Sequence, residues 1–351
     1  MPGTHEFPPP ERPLPALRFG LAGIVALVLF VLGLGAWEWH WREFGAGPTY
    51  RNSEGLWSIQ RRRINHGEGD ALVFLGSSRT LFDVQLHVWE RLAGERPIQL
   101  ALEGTSPLMF LEDLAADPDF RGRLVVGISP NLFATGYAYR GDVLKYYREQ
   151  TPSQHIGQWL SMHLLEPWLA FYEPDFALFT VLKRQDWPAR AGVMDFKEVR
   201  RLSVNERDRN TRLWDKLLLD PEYAALAKSI WGQFFDMPPP PGMDMAKLVE
   251  EQFARTAAAI ATLRARGVEV VLIRPPSDGE FREFERRVFP RERIWDVLVA
   301  RAGVPGIHFE DYPDMQGLEL AEWSHLTPAD AERYTEALYR ALEQVRAGDR
   351  R

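Results

Sequence analysis

The chain has 351 residues, 45% of them hydrophobic, and a formal charge of −7. That is enough apolar material for the core of one large domain with an insertion, and the negative balance excludes a general nucleic-acid binder, which needs a clustered basic surface. With no cysteine present, thiol catalysis, disulfides and thiolate metal sites are excluded together.

After a Pro-rich head over residues 1–16, Phe19–Ala36 reads FGLAGIVALVLFVLGLGA. Such an uncharged run, about 18 residues at 1.5 Å each, nearly crosses a ~30 Å hydrocarbon layer. A transmembrane anchor is expected over 17–38, with Trp37 and Trp39 at the interface. Where a cleaved signal peptide would place small residues, Trp37-Glu38-Trp39-His40-Trp41 follows instead. A buried soluble helix is the alternative reading of the run. Basic residues flank both sides, Arg12 and Arg18 before, Arg42 and Arg61–Arg63 after, so they orient the span only weakly. Residues 39–70 are expected as a linker, with a helix over Gly55–Ile64.

From residue 71 the pattern becomes strand, helix, strand, helix. Strands are expected at Leu72–Leu75, Pro97–Leu102 and Arg123–Ile128, with helices over Leu81–Leu92 and Pro107–Ala116. That alternation predicts an α/β fold with a doubly wound parallel sheet. It is interrupted over 133–245 by a long, mostly helical, aromatic-rich insertion that includes Trp159, Trp168, Trp214 and Trp231. The aromatics are expected as core, with a lid narrowing a substrate groove as the alternative. Pro238–Pro241 closes the insertion as a stiff linker. The α/β pattern resumes with a helix over Met245–Arg266, a near-continuously apolar strand at Val268–Ile273, a helix over Arg293–Ala302, a strand at Gly306–Phe309 and a final helix over Thr327–Arg346. The domain is thus expected to span 71–346.

Ligand groups in an open parallel sheet gather beyond the carboxyl ends of the strands. Four polar clusters fall there: Gly76–Arg79, Glu103–Ser106, Ser129–Asn131 and Arg274–Ser277. A serine nucleophile needs a base in hydrogen-bond reach and donors for the developing oxyanion. Ser78, at a strand-to-helix turn, is the candidate nucleophile, with Ser77 as its rival. The N–H groups of Ser78 and Gly104 could point at one oxygen, and glycine at 104 permits close backbone approach. His325 is the candidate base. Glu322, one helical turn earlier, is the carboxylate that could hold one ring nitrogen while the other faces the serine, with Asp311 and Asp314 as rivals. Arg79 and Arg274 would either bind an anionic substrate group or form salt bridges to framework carboxylates such as Asp83 or Asp278. The histidines His155, His163 and His308 have no zinc-site spacing, and no metal or cofactor is expected.

Gly76-Ser77-Ser78-Arg79 resembles the first block of the SGNH (GDSL-like) hydrolases, with Ser77 in place of the usual aspartate. Glu322-Trp323-Ser324-His325-Leu326-Thr327-Pro328 is similar to their final Asp-x-x-His block, with glutamate in place of aspartate. Gly104 corresponds to the second-block oxyanion glycine and Asn131 to the third-block asparagine, although Gly127-Ile128-Ser129-Pro130-Asn131 departs from a clean Gly-x-Asn pattern. The resemblance covers Leu72–Ile128 and Val268–Leu342 and implies a three-layer, flavodoxin-like arrangement. It assigns Ser78 as nucleophile, His325 as base then acid, Glu322 as its orienting group, and Ser78, Gly104 and Asn131 as oxyanion donors.

A single-span anchor on such a domain is similar to two bacterial-envelope groups, the D-alanyl transfer protein of teichoic-acid modification and the alginate O-acetylation proteins. This implies O-acyl transfer from an acyl donor to a cell-surface polysaccharide, with a polytopic membrane acyltransferase as a partner. It also implies a cytoplasmic N-terminus in the bacterial inner membrane and the large domain on the periplasmic or extracellular side. A membrane-tethered esterase using the same residues, and an inactive scaffold or glycan-binding component, are the alternatives.

Overall fold

A computed structural model describes residues 19–185, 187–188, 196–238, 242 and 244–349. The Pro-rich head and most of Pro238–Pro241 lie outside the described residues. Seven strands are described: β1 (Leu72–Leu75), β2 (Ile98–Gln99), β3 (Arg123–Gly127), β4 (Ser203–Asn205), β5 (Thr211–Leu213), β6 (Glu269–Arg274) and β7 (Gly306–His308). Five form one parallel sheet in the order β2-β1-β3-β6-β7. The short β2 extends its ladder beyond Gln99, since Leu100 N–H donates to Phe74 O (2.9 Å) and Leu102 N–H to Gly76 O (3.0 Å).

Side-chain alternation makes three layers. Val73, Leu75, Leu124, Val126, Val270 and Leu272 face one side, packing on helices Leu108–Ala116, Met245–Ala265 and Arg291–Ala302. Their neighbours Leu72, Phe74, Val125, Val271 and Ile273 face the other, under helices Leu86–Ala93 and Pro328–Asp349. The strand order reverses at β1, so the ends of β1 and β3 border the crevice where such folds place their ligands.

The expected helix over Leu81–Leu92 is two helices, Ser78–Asp83 and Leu86–Ala93. Distant side chains make the break: Gln85 N–H donates to Thr335 Oγ1 (2.9 Å) and Leu86 N–H to Asn210 Oδ1 (2.7 Å). The segment expected as a linker also belongs to the core. Ser53 caps helix Glu54–Asn65, whose Trp57 and Ile64 are buried in the first layer, and Trp57 Nε1–H donates to Leu100 O (3.0 Å).

The N-terminal helix runs Phe19–Glu43, with a mean hydropathy of 2.5 over its best 18-residue window and none of that window buried against protein. By length and composition it can cross a membrane. Its last turns are part of the folded domain. Trp41 is buried and stacks on Phe176 (4.2 Å between ring centroids). The Glu38 carboxylate accepts from the N–H groups of Ala170 (3.0 Å) and Phe171 (3.1 Å). The insertion therefore holds the end of this helix on one side. It also contains the β4–β5 antiparallel hairpin, which periodicity alone did not distinguish from helix.

Candidate active site

The turn after β1 runs through Gly76 and Ser77 into helix Ser78–Asp83, with Ser77 at the N-cap position. Ser78 is its first residue and is half-buried. Ser77 is buried, and its hydroxyl shares a 2.6 Å hydrogen bond with Ser129 Oγ across from β3. That pairing joins the ends of β1 and β3 and leaves Ser78 as the hydroxyl open to chemistry.

Four residues after Ser78, and so on the same face of the helix, Phe82 packs its ring 4.4 Å from the His325 ring. Arg79 Nε–H donates to Ser324 Oγ (3.2 Å), and Asp83 Oδ1 accepts the Leu326 N–H (3.0 Å). Helix Ser78–Asp83 is thus fastened along the whole His325 turn. The turn itself is fixed from below: Thr327 Oγ1 accepts the Asp330 N–H (3.3 Å), and Asp330 Oδ2 accepts the Glu319 N–H (2.7 Å). Its tightness comes from Trp323, which adopts a left-handed conformation (φ 74°). Gly279 makes room for it, because a Cβ there would lie 2.4 Å from the Trp323 ring.

Within this turn Glu322 and His325 are both fully buried, and Glu322 Oε1 lies 2.5 Å from His325 Nδ1. The other carboxylate oxygen accepts from the indole N–H of Trp231, on insertion helix Pro221–Gly232. A carboxylate held at both oxygens fixes the proton on Nδ1 and leaves Nε2 as the basic nitrogen. His325 Nε2 is buried and has no hydrogen-bond partner among the described residues. No hydrogen bond joins it to Ser78 in this conformation.

The expected oxyanion groups lie on neighbouring loops. Gly104 has φ 57° and accepts the Tyr139 N–H at its carbonyl (3.1 Å), while its own N–H has no partner among the described residues. Its loop is braced by Arg209, which donates to Gln99 O and Ala101 O (2.7 Å each) and to Asn52 Oδ1 (3.0 Å). Burial without a touching carboxylate lowers the Arg209 guanidinium to about 9. Asn131, in the first turn of helix Pro130–Thr135, carries a buried Oδ1 without a partner among the described residues.

The two candidate substrate-binding arginines form a buried framework cluster. Arg79 Nη1 and Arg274 Nη2 bind the two oxygens of Glu285 at 2.8 and 2.6 Å, and all three side chains are at most 4% exposed. Ser277 Oγ adds a third donor to Glu285 (2.7 Å), and the Arg79 guanidinium lies 4.6 Å from the Phe281 ring centroid. Burial works against the Glu285 charge, but the two guanidiniums outweigh it and hold the carboxyl below its usual range. The framework salt bridge is therefore the arrangement adopted, with Glu285 as partner in place of Asp83 or Asp278. The rival carboxylates are engaged elsewhere, Asp311 with Arg291 (2.7 Å) and Asp314 with Arg340 (3.0 Å).

Trp231, Arg209 and Glu285 had no individual signal in the sequence. Trp231 lies 91 residues from Glu322 and reaches it only through tertiary packing. A cleft of about 530 Å³ lined by Arg63, His155, Trp159 and Arg207 contains none of the candidate catalytic residues.

No protein-family model matches the chain, and a search of curated proteins finds no match. Among solved structures, TesA aligns over 78% of this chain and 98% of its own length, at 13% identity and a TM-score of 0.37. At that distance the likeness carries no functional inference.

Proposed function

We propose that this protein is a membrane-anchored, serine-dependent acyl-ester enzyme of the bacterial envelope that transfers an acyl group, acetyl in the simplest case, to a cell-surface polysaccharide. The observation that carries this reading is the buried Glu322–His325 pair with an unpartnered Nε2, set against the helix that begins at Ser78. A buried acceptor left unpaired costs about 1–3 kcal/mol, and in this reading the Ser78 hydroxyl supplies the missing donor.

In the proposed reaction Ser78 Oγ attacks the ester carbonyl carbon as its proton passes to His325 Nε2. The carbonyl oxygen becomes an oxyanion facing the N–H groups of Ser78 and Gly104 and the amide of Asn131. As the tetrahedral species collapses, the donor's alkoxide leaves with the proton from Nε2, and the acyl group stays on Ser78. An acceptor hydroxyl then gives its proton to Nε2 and attacks the acyl-enzyme carbonyl; the second tetrahedral species collapses with cleavage of the Ser78 Oγ–acyl bond, Nε2 returns the proton to Ser78 Oγ, and the new ester departs. Glu322 stabilises the imidazolium at each stage. Cover by Trp231 and Phe82 favours an acceptor sugar over bulk water.

An active-site serine phosphonate should label the full-length chain at Ser78, as located by peptide mass spectrometry, and Ser78→Ala and His325→Ala should abolish both labelling and glycan acylation in cells. Labelling together with turnover of a simple acetyl ester, without any acceptor, would instead favour a membrane-tethered esterase. Absence of labelling is the outcome expected of an inactive scaffold and would end the catalytic reading.

A further inference from the structure

Beside the end of the N-terminal helix lie apolar side chains that the described residues leave uncovered. Trp37 Nε1–H donates to Phe176 O (3.0 Å), and Arg42 donates to Trp168 O (3.0 Å). Those two bonds set the insertion segment 168–176 at the level where the apolar run ends, because Trp37 directly follows Ala36. Two residues beyond Phe176, helix Leu178–Lys183 begins. Its Leu178, Phe179 and Leu182 point outward, Phe179 with 79% of its surface exposed, while Val181 packs inward on the cluster containing Trp41. Nearby, Trp168 and Leu164 are also exposed, at 66% and 58%. The polar side of this short helix is charged: Lys183 and Arg184 pair with Glu198 and Asp175.

Large apolar side chains on one face, next to a charged edge, are the surface of an interfacial element. We infer that helix Leu178–Lys183, with Leu164 and Trp168, is seated in the headgroup region of the bilayer beside the anchor. The occupant is lipid, because this surface lies beside the apolar helix of residues 19–36, none of whose best 18-residue window is buried against the described residues. The inference rests on that helix spanning a membrane and does not depend on the catalytic proposal.

Seating the insertion would fix the domain's height and tilt as well as tethering it. Trp41 is about 7.5 Å along the axis from Ala36 and shares a packed cluster with Phe82, which lies against His325.

The chain lacks cysteine, so single thiols can be placed at will. Phe179→Cys, Leu182→Cys, Leu32→Cys and Thr262→Cys variants of the full-length chain would each be labelled with an environment-sensitive fluorophore. They would be reconstituted in phosphatidylcholine vesicles carrying a doxyl quencher near the headgroup or near the acyl-chain midpoint. Leu32 reports the span, and Thr262 lies on helix Met245–Ala265 near its junction with the N-terminal end of β6, away from the insertion. The expected result is loss of fluorescence at 179 and 182 with the shallow quencher, at 32 with the deep quencher, and at 262 with neither. Solvent-like, unquenched labels at 179 and 182 beside a quenched label at 32 would overturn the inference. A blue-shifted but unquenched label at 179 would also overturn it, by showing that protein covers the face. Lack of quenching at 32 would remove the span and the seat together while leaving the phosphonate test of Ser78 untouched.

Discussion

Replacing Glu322 by Gln should do more harm than loss of one charge, because Trp231 dictates how the new amide sits. The indole N–H can only donate, so it takes the amide oxygen and turns the NH₂ group toward His325 Nδ1. Nδ1 must then accept, the ring proton moves to Nε2, and the nitrogen that should receive the Ser78 proton is blocked. In a comparable triad the wrong tautomer lowers kcat by on the order of 10⁴, equivalent to about 5–6 kcal/mol. Trp231→Phe alone leaves the carboxylate on Nδ1 and removes one charge-assisted hydrogen bond of about 1.5–3 kcal/mol, only part of which acts in the transition state, so a fall of about tenfold is expected. In the Trp231→Phe/Glu322→Gln double variant the amide can flip, present its oxygen to Nδ1 and restore the productive tautomer. The double variant should therefore be faster than Glu322→Gln by on the order of tenfold, although each single change is harmful. The assay is the rate of phosphonate labelling at Ser78, followed by mass spectrometry on full-length protein. A double variant at or below the rate of Glu322→Gln would refute the claim that Trp231 orients the acid through its second oxygen.

Three further outcomes follow from buried groups. Glu285→Gln leaves two buried guanidiniums without their shared charge and should destabilise the chain by about 3–5 kcal/mol, read as a lowered thermal midpoint. Burial pushes the Asp83 carboxyl well above its usual range, offset in part by the Leu326 N–H bond and by Arg79, with Glu322 adding to the rise and Arg274 opposing it. The folded chain then holds a proton that the unfolded chain loses near about pH 3.9, so stability falls as pH rises from there toward the folded-state pKa. Asp83→Asn, which keeps the acceptor for Leu326, should flatten that slope, and a thermal midpoint that falls as steeply with pH as in the unaltered chain would contradict it. Gly279→Ala forces a Cβ into the Trp323 ring at a position with φ 52°. It should slow Ser78 labelling at a stability cost of about 1–2 kcal/mol, with circular dichroism checking that the fold is retained.

The layers of the domain were legible because each strand is short, apolar and followed by turn chemistry. Val268–Ile273 read as a doubly buried strand and is β6 within one residue at each end, and Leu72–Leu75 ending in Gly76-Ser77-Ser78 marked the crevice edge. The Glu322–His325 pair was legible for a similar reason, since three residues of spacing suffice to bring the two groups together. What escaped was whatever depends on contacts across long separations. Glu285, 206 residues from Arg79, neutralises two arginines that in isolation read as equally suited to substrate. The break at Val84–Gln85 is made by Thr335 and Asn210, neither of which leaves a trace in the local pattern. Helix Gly279–Val288, which carries Glu285 and frames Trp323, has Asp278 at its N-cap position and Glu280 in its first turn, a start signal masked by the Arg274-Pro275-Pro276-Ser277 stretch before it, which reads as loop.

The insertion joins two features that the linear chain keeps apart. Its segment 168–176 grips Glu38, Arg42 and Trp41 at the end of the N-terminal helix, and further on helix Pro221–Gly232 delivers Trp231 to Glu322. Between them, Trp214 and Tyr223 pack in the same cluster as Trp41 and Phe82. One packed cluster therefore runs from the end of the N-terminal helix to Phe82, the ring that lies against His325.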